Sequence, residues 1–135
     1  MDMNKALDIS ARGMEAQSTR LRIVAENLAN QDTTGSDPKT APYRRKTVTF
    51  TNEMDRALGV PTVKVTRIGT DPSELPRRYD PSHPGADAQG YVRTPNVNAF
   101  VEMMDMRSAQ HAYNANLSVM QVARGMLTRA IELLK

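Results

Sequence analysis

The distribution of proline divides this 135-residue chain into three segments. All eight prolines lie between Pro38 and Pro95, so both ends of the chain are free of them. Proline removes a backbone donor and clashes with the preceding turn of a helix, and its confinement therefore leaves both ends able to form long helices. The pattern predicts an N-terminal helical segment over residues 1–35, a middle segment over 36–94 and a C-terminal helical segment over 95–135.

The N-terminal helix is predicted from about Asn4 to Asn30. Along it, large and small side chains alternate at steps of four and three residues, so that a large apolar residue recurs every seventh position. This spacing is typical of a narrow seam that packs closely on another helix. We call this seam the N-terminal stripe; it consists of Leu7, Ala11, Met14, Ser18, Leu21, Ala25 and Leu28.

The C-terminal helix is predicted from about Asn98 to Leu134, after a proline that stops the preceding chain and an asparagine that can cap the helix. From Val119 to Lys135, ten of seventeen residues are apolar and point in nearly every direction around the axis. Such a helix must be buried on several sides, which a single partner helix cannot achieve, so other chains are expected to cover it. Its apolar positions, the C-terminal stripe, are Val97, Val101, Met104, Ala115, Val119, Val122, Met126 and Leu133.

The middle segment predicts short strands and extended chain. Val48 and Phe50 alternate with polar residues, and Val63 and Val65 suggest a second strand, whereas Asp71–Gly90 has no apolar periodicity and is predicted to be loop or extended chain. The predicted fold class is therefore mainly α. Its N- and C-terminal helices pack as a coiled-coil-like pair, with a small β or extended insertion between them.

Composition argues for a protein that gains stability from its neighbours. Only 4% of residues are aromatic, tryptophan is absent and 39% are hydrophobic, which is little material for a self-contained core. No cysteine is present, so disulfides cannot supply the missing stability. No apolar run resembles a signal-peptide core or approaches the roughly 20 residues of a membrane span. Location outside the cytosol would therefore require export without a cleaved signal.

Enzymatic, metal-binding and nucleic-acid-binding functions find little support in the sequence. Phosphate loops, nucleophile elbows and zinc-binding histidine motifs are missing, so neither a catalytic residue nor a cofactor is predicted. His83 and His111 make a poor metal site; a loop position and a helix-packing position, respectively, are expected for them. The basic run Arg44–Lys46 is interpreted as a solvated strand face, with binding to nucleic acid or to anionic lipid as alternatives.

Three groups of motifs stand out along the chain. The N-terminal motifs are Ser10–Ala16 and Arg20–Asn30, and those of the C-terminal helix are Glu102–Met106 and Ala109–Asn116. The middle motifs are Tyr43–Lys46 and Asp80–Pro84, running on through Gly90–Val92 to Pro95–Asn98. The motifs at both ends resemble those of bacterial flagellar rod and hook proteins. The short middle segment and its motifs are similar to the proximal rod proteins of the basal body, since hook proteins carry larger insertions there. Given this resemblance, contact with an acidic neighbouring subunit is the better functional alternative for Arg44–Lys46.

The resemblance implies a non-enzymatic structural subunit that polymerises through its terminal helices into the hollow drive shaft needed for motility. It implies passage through the flagellar type III export apparatus and a periplasmic location in the basal body. The implied partners are further copies of the chain, other proximal rod proteins, the export-gate adaptor and the distal rod protein, with no nucleic acid and no small-molecule substrate. The rival hypothesis is a cytosolic adaptor that dimerises through its helices and offers its basic strand to nucleic acid.

Overall fold

A computed structural model of the chain describes residues 2–135. Two long helices, α1 (Met3–Ala29) and α2 (Ala99–Leu133), enclose four strands in sequence. The side chain of Asp2 accepts a hydrogen bond from the Asn4 backbone N–H, which satisfies one of the free donors at the start of α1. Asn98 caps α2 in the same way, through the backbone N–H groups of Phe100 and Val101. The predicted helices are confirmed, with bounds within one residue of those expected.

The middle segment forms two separate two-stranded sheets. Strands β1 (Lys46–Asp55) and β2 (Val60–Thr70) pair with one another, joined by a turn at which Gly59 adopts a φ of 68°. Strands β3 (Arg77–Tyr79) and β4 (Tyr91–Arg93) pair antiparallel, with Arg78 opposite Val92. The segment predicted to be loop or extended chain therefore contains the short strand β3, and β1 and β2 are longer than the apolar alternation indicated.

The chain divides into two compact units, each of which includes part of both helices. The first unit comprises Met1–Leu21, Val48–Arg67 and Arg107–Lys135, and the second comprises Arg22–Thr47 and Ile68–Met106. In the first unit the buried side chains are mostly small, with Ala16 and Ala109 each no more than 3% exposed. A Cβ placed on Gly13 would lie 2.8 Å from the Asn116 amide nitrogen, so α1 and α2 approach closely there.

The second unit has a core that mixes apolar and polar side chains. Ile23, Val24 and Val92 are buried, but so are the side chains of Asn27 and Glu102. A hydrogen bond of 3.4 Å joins Asn27 Nδ2 of α1 to Glu102 Oε2 of α2. The mainly helical fold with strands between its helices is thus confirmed, whereas the coiled-coil-like geometry of the helix pair stays a prediction. Within residues 2–135, neither helix has the long apolar stretch that a bilayer crossing requires.

Candidate functional site

The C-terminal stripe lies on an exposed face of α2. Val101, Met104, Val119 and Met126 are each at least half exposed, and Val122 is 63% exposed. Ala115 and Leu133 are exposed as well, while Val97, before the helix begins, is half-buried. Large apolar side chains at steps of three, four or their sums are therefore left uncovered on one face of the helix, with a break between Met104 and Ala115. Large apolar side chains exposed together in this way mark a site of protein–protein interaction.

The N-terminal stripe is half covered. Its large members Leu7, Met14, Leu21 and Leu28 are half-buried, whereas Ala11, Ser18 and Ala25 are exposed. The structure thus places the stripe beside the face that α1 buries inside the chain. A helix surface in this position can contribute to a contact with another subunit without first breaking an internal one.

The face that α1 buries inside the chain is a different one from that of the N-terminal stripe. Ala16, Ile23 and Asn27 are buried at steps of seven and four residues, which places them on one side of the helix. The corresponding buried residues of α2, Glu102, Ala109 and Ala123, are separated by seven and fourteen residues. Hydrophobic patterning does not find this face, because Asn27 and Glu102 are polar and most of the other members are small.

Asn27 is the centre of a group of hydrogen-bonded residues in the second unit. We call this group the polar cluster; it consists of Asn27, Tyr43, Arg45, Lys46, Asp71, Asn96 and Glu102. Asn27 Oδ1 accepts from the Tyr43 hydroxyl at 2.6 Å and from the Lys46 backbone N–H at 2.9 Å. Asn27 Nδ2 donates to the Lys46 carbonyl at 2.9 Å and to Glu102. The amide therefore uses its full hydrogen-bonding capacity and fixes where β1 begins against α1.

The Glu102 carboxylate is fully buried and is neutralised by Arg45. Arg45 Nε donates to Glu102 Oε1, and Arg45 Nη1 lies 3.6 Å from the Asp71 carboxylate. Burial alone would lower the pKa of the Arg45 guanidinium, but the hydrogen bond and charge of Glu102 outweigh it and the pKa is raised. Asn96 completes the group, since its Oδ1 accepts from the Arg45 backbone N–H at 2.8 Å. A buried charge is tolerated here because it is paired and hydrogen-bonded.

A more exposed ion pair lies beside the polar cluster. Lys46 Nζ is 2.8 Å from Glu26 Oε2. Their hydrogen bond lowers the pKa of Glu26 and raises that of Lys46, since each group favours the charged form of the other. The pKa of the Tyr43 hydroxyl is raised for a different reason, which is burial. Among the described residues, every buried side-chain nitrogen and oxygen has a hydrogen-bond partner.

The interpretation of Arg44–Lys46 as a solvated strand face is wrong. Arg44 Nη1 donates to the backbone carbonyls of Asp71 and Ser73, at 2.9 and 2.6 Å. Arg45 pairs with Glu102, and Lys46 pairs with Glu26. All three cations are therefore engaged within the chain. No sequence signal links them to carboxylates so distant along the chain.

The two histidines lie in unlike surroundings. His83 is in a turn, as expected: its Nδ1 accepts the Gly85 backbone N–H at 2.9 Å and its Nε2 lies 2.9 Å from the Thr34 hydroxyl. His111 is exposed on α2 rather than packed within the chain, contrary to expectation. Across residues 2–135, no group of three histidine, aspartate or glutamate side chains is arranged to hold a metal ion.

Comparison with known proteins places both helical ends in one family. A family profile described as "Flagella basal body rod protein" matches residues 7–35, and one described as "Flagellar basal body rod FlgEFG protein C-terminal" matches residues 88–133. The flagellar basal-body rod protein FlgC of Agrobacterium fabrum is 49% identical over 133 residues, covering 98% of this chain and 96% of its own length.

Two more distant relatives carry the same name. FlgC of Salmonella typhimurium is 38% identical over 98% of both chains, and FlgC of Bacillus subtilis is 36% identical over 95% of both. These matches cover 95–98% of this chain and most of each relative. The chain therefore belongs to the flagellar basal-body rod proteins of the FlgC type, which are structural subunits of the rod and not enzymes.

Proposed function

We propose that this subunit polymerises through the N-terminal and C-terminal stripes into the proximal rod, the hollow shaft that transmits torque. The observation that carries the proposal is the row of exposed apolar side chains along α2, among them Val122. Full burial of one such side chain contributes about 1.5–3 kcal/mol, so covering a row of half-exposed ones supplies a substantial driving force for assembly.

The polar cluster has a different role in this proposal. Within the second unit it holds the end of α1, the start of β1 and the first turns of α2 in a fixed arrangement. The stripe residues that lie in this unit, among them Leu28, Val101 and Met104, are thereby presented by a preformed surface. A surface that is ordered before contact loses less conformational entropy when it binds. The cluster is thus a positioning element, and the stripes make the contacts.

The proposed partners are further copies of this chain, other proximal rod proteins, the export-gate adaptor and the distal rod protein. The proposed location is the periplasmic part of the basal body, reached through the flagellar type III export apparatus. Family membership and the uncovered apolar surface support these assignments. The rival hypothesis of a nucleic-acid adaptor loses its main support, because the side chains of Arg44–Lys46 are engaged in hydrogen bonds and ion pairs within the chain.

The proposal is tested by a pair of adjacent substitutions on α1. Leu21→Asp places an unpaired carboxylate on the N-terminal stripe, where burial against another helix would cost several kcal/mol. Arg22→Gln is the matched control, because Arg22 is exposed and its bond to Glu26 contributes about 0.5 kcal/mol or less. We expect Leu21→Asp to be exported but to stop rod assembly and swimming on soft agar, while Arg22→Gln stays motile. Equal motility of the two variants would contradict the assignment.

A further inference from the structure

The β3–β4 ribbon presents an exposed face that combines two arginines with two tyrosines. Arg77 lies directly opposite Arg93, and Tyr79 lies directly opposite Tyr91. Side chains two residues apart on a strand share a face, so all four project from the same side of the ribbon. All four are exposed, Tyr79 at 65%. On the opposite side, Val92 is buried, which anchors the ribbon to the second unit.

The ribbon carries an unfavourable charge arrangement that the chain itself does not relieve. Like charges directly opposite one another on paired strands are destabilising. Neither Arg77 nor Arg93 forms a salt bridge within the described residues, whereas Arg78 on the other side lies 3.9 Å from the Asp80 carboxylate. Two facing guanidinium groups are therefore available to carboxylates from outside the chain.

The ribbon is also held together by contacts of its own residues. The Tyr79 and Tyr91 rings pack edge to face, with centroids 5.3 Å apart. The loop between the strands is closed by hydrogen bonds of 2.9 Å from the Asp80 N–H to the Gly90 carbonyl and from the Asp87 N–H to the Tyr91 carbonyl. A Cβ on Gly90 would lie 3.0 Å from the Tyr79 ring, so glycine allows the ring to rest on the backbone.

We infer that this face binds an acidic segment of a neighbouring protein subunit, with carboxylates paired to Arg77 and Arg93 and side chains packed on Tyr79 and Tyr91. Tyrosine and arginine are enriched among the residues that carry most binding energy at protein interfaces, and arginine pairs with carboxylates through two parallel hydrogen bonds. Membership in a family of structural rod subunits favours a protein partner over nucleic acid. The inference rests on family membership and on the ribbon, and does not depend on the helical stripes.

The test places the photo-crosslinking amino acid p-benzoylphenylalanine at Tyr79 of the full chain, in motile cells with assembled basal bodies. The control position is Arg67, an exposed residue of β2 in the first unit. We expect an adduct from position 79 whose crosslinked peptide, identified by mass spectrometry, contains at least two Asp or Glu residues. A crosslinked peptide without acidic residues, an RNA adduct or the absence of any adduct in assembled rods would each overturn the inference.

A single charge reversal separates binding from folding in the same assay. Arg93→Glu converts the repulsive pair with Arg77 into an attractive one, so the ribbon itself should be as stable as before or more so. We nevertheless expect the adduct yield to fall about tenfold, a change that corresponds to ~1.4 kcal/mol. Arg93→Lys, which keeps the charge, should retain most of the yield. An unchanged yield in Arg93→Glu would show that charge pairing does not hold the partner.

Discussion

Replacing Asn27 with alanine is expected to destabilise the subunit more than any surface substitution. The Asn27 side chain is 1% exposed and joins three parts of the second unit, α1, the start of β1 and α2. Alanine is a good helix former, so the backbone of α1 tolerates the change. The cost therefore comes from the lost hydrogen bonds and from the groups that they leave behind.

The magnitude follows from the four hydrogen bonds that the side chain makes. Three are short, at 2.6, 2.9 and 2.9 Å, and each is expected to contribute about 1 kcal/mol net, whereas the 3.4 Å bond to Glu102 adds little. The backbone N–H and carbonyl of Lys46 lose their partners, at a penalty of about 1–3 kcal/mol per group if they stay dry. Because Lys46 is half-buried, water can replace part of this bonding. We therefore expect a loss of about 3–4 kcal/mol.

The assay is urea unfolding of the purified chain, followed by circular dichroism at 222 nm. Asn114→Ala is the matched control, since Asn114 is an exposed residue of α2 whose side chain makes no hydrogen bond within the described residues. The free energy of unfolding of this variant should change by less than about 0.5 kcal/mol. Asn27→Asp keeps the acceptor for Tyr43 but sets a second carboxylate against Glu102, so it should also destabilise. A loss below about 1 kcal/mol in Asn27→Ala would refute the reasoning.

Two further predictions concern pH and helix stability. Because the pKa of Glu26 is lowered, chiefly by its hydrogen bond with Lys46, the stability that the carboxylate contributes is present above its ordinary pKa and is lost as the pH falls through the lowered pKa. Glu26→Gln should therefore flatten the acid limb of Tm plotted against pH, and an unchanged limb would show that other groups dominate. Gly125 lies within α2 and a Cβ there meets no atom within 4 Å, so Gly125→Ala should stabilise the isolated chain by about 1 kcal/mol in urea unfolding. A destabilised Gly125→Ala chain would contradict the open surroundings of this position.

The helices could be predicted from the sequence because their signals are local. Proline is confined to the middle segment, and Asn98 stands one residue before α2 and caps it as expected. Val48 and Val63 correctly indicated β1 and β2. The strands β3 and β4 were not predicted individually. Each has only three residues, too few for an alternation of apolar and polar side chains to show, and their pairing joins segments that are not adjacent in the sequence.

The buried face of the helices was not predictable by the same means. Hydrophobic periodicity selects Leu21 and Val122, which are large and apolar, and passes over Asn27 and Glu102, whose burial depends on partners far away in the sequence. The apolar residues that periodicity selected on α2 are instead exposed, because α2 carries apolar residues on more sides than the rest of the chain covers. Phe100, exposed near the start of α2, was outside the predicted stripe and widens this uncovered surface.

The central claim, that the C-terminal stripe is an assembly surface, is tested most directly at Val122. This side chain is 63% exposed, so Val122→Asp should leave the fold and the circular dichroism spectrum of the isolated chain unchanged. In the rod the new carboxylate would be buried without a partner, at a cost of several kcal/mol per subunit. Gln121→Asp, at the exposed neighbouring position, is the control. Electron microscopy of purified basal bodies should show rods with Gln121→Asp and none with Val122→Asp; complete rods with Val122→Asp would contradict the account.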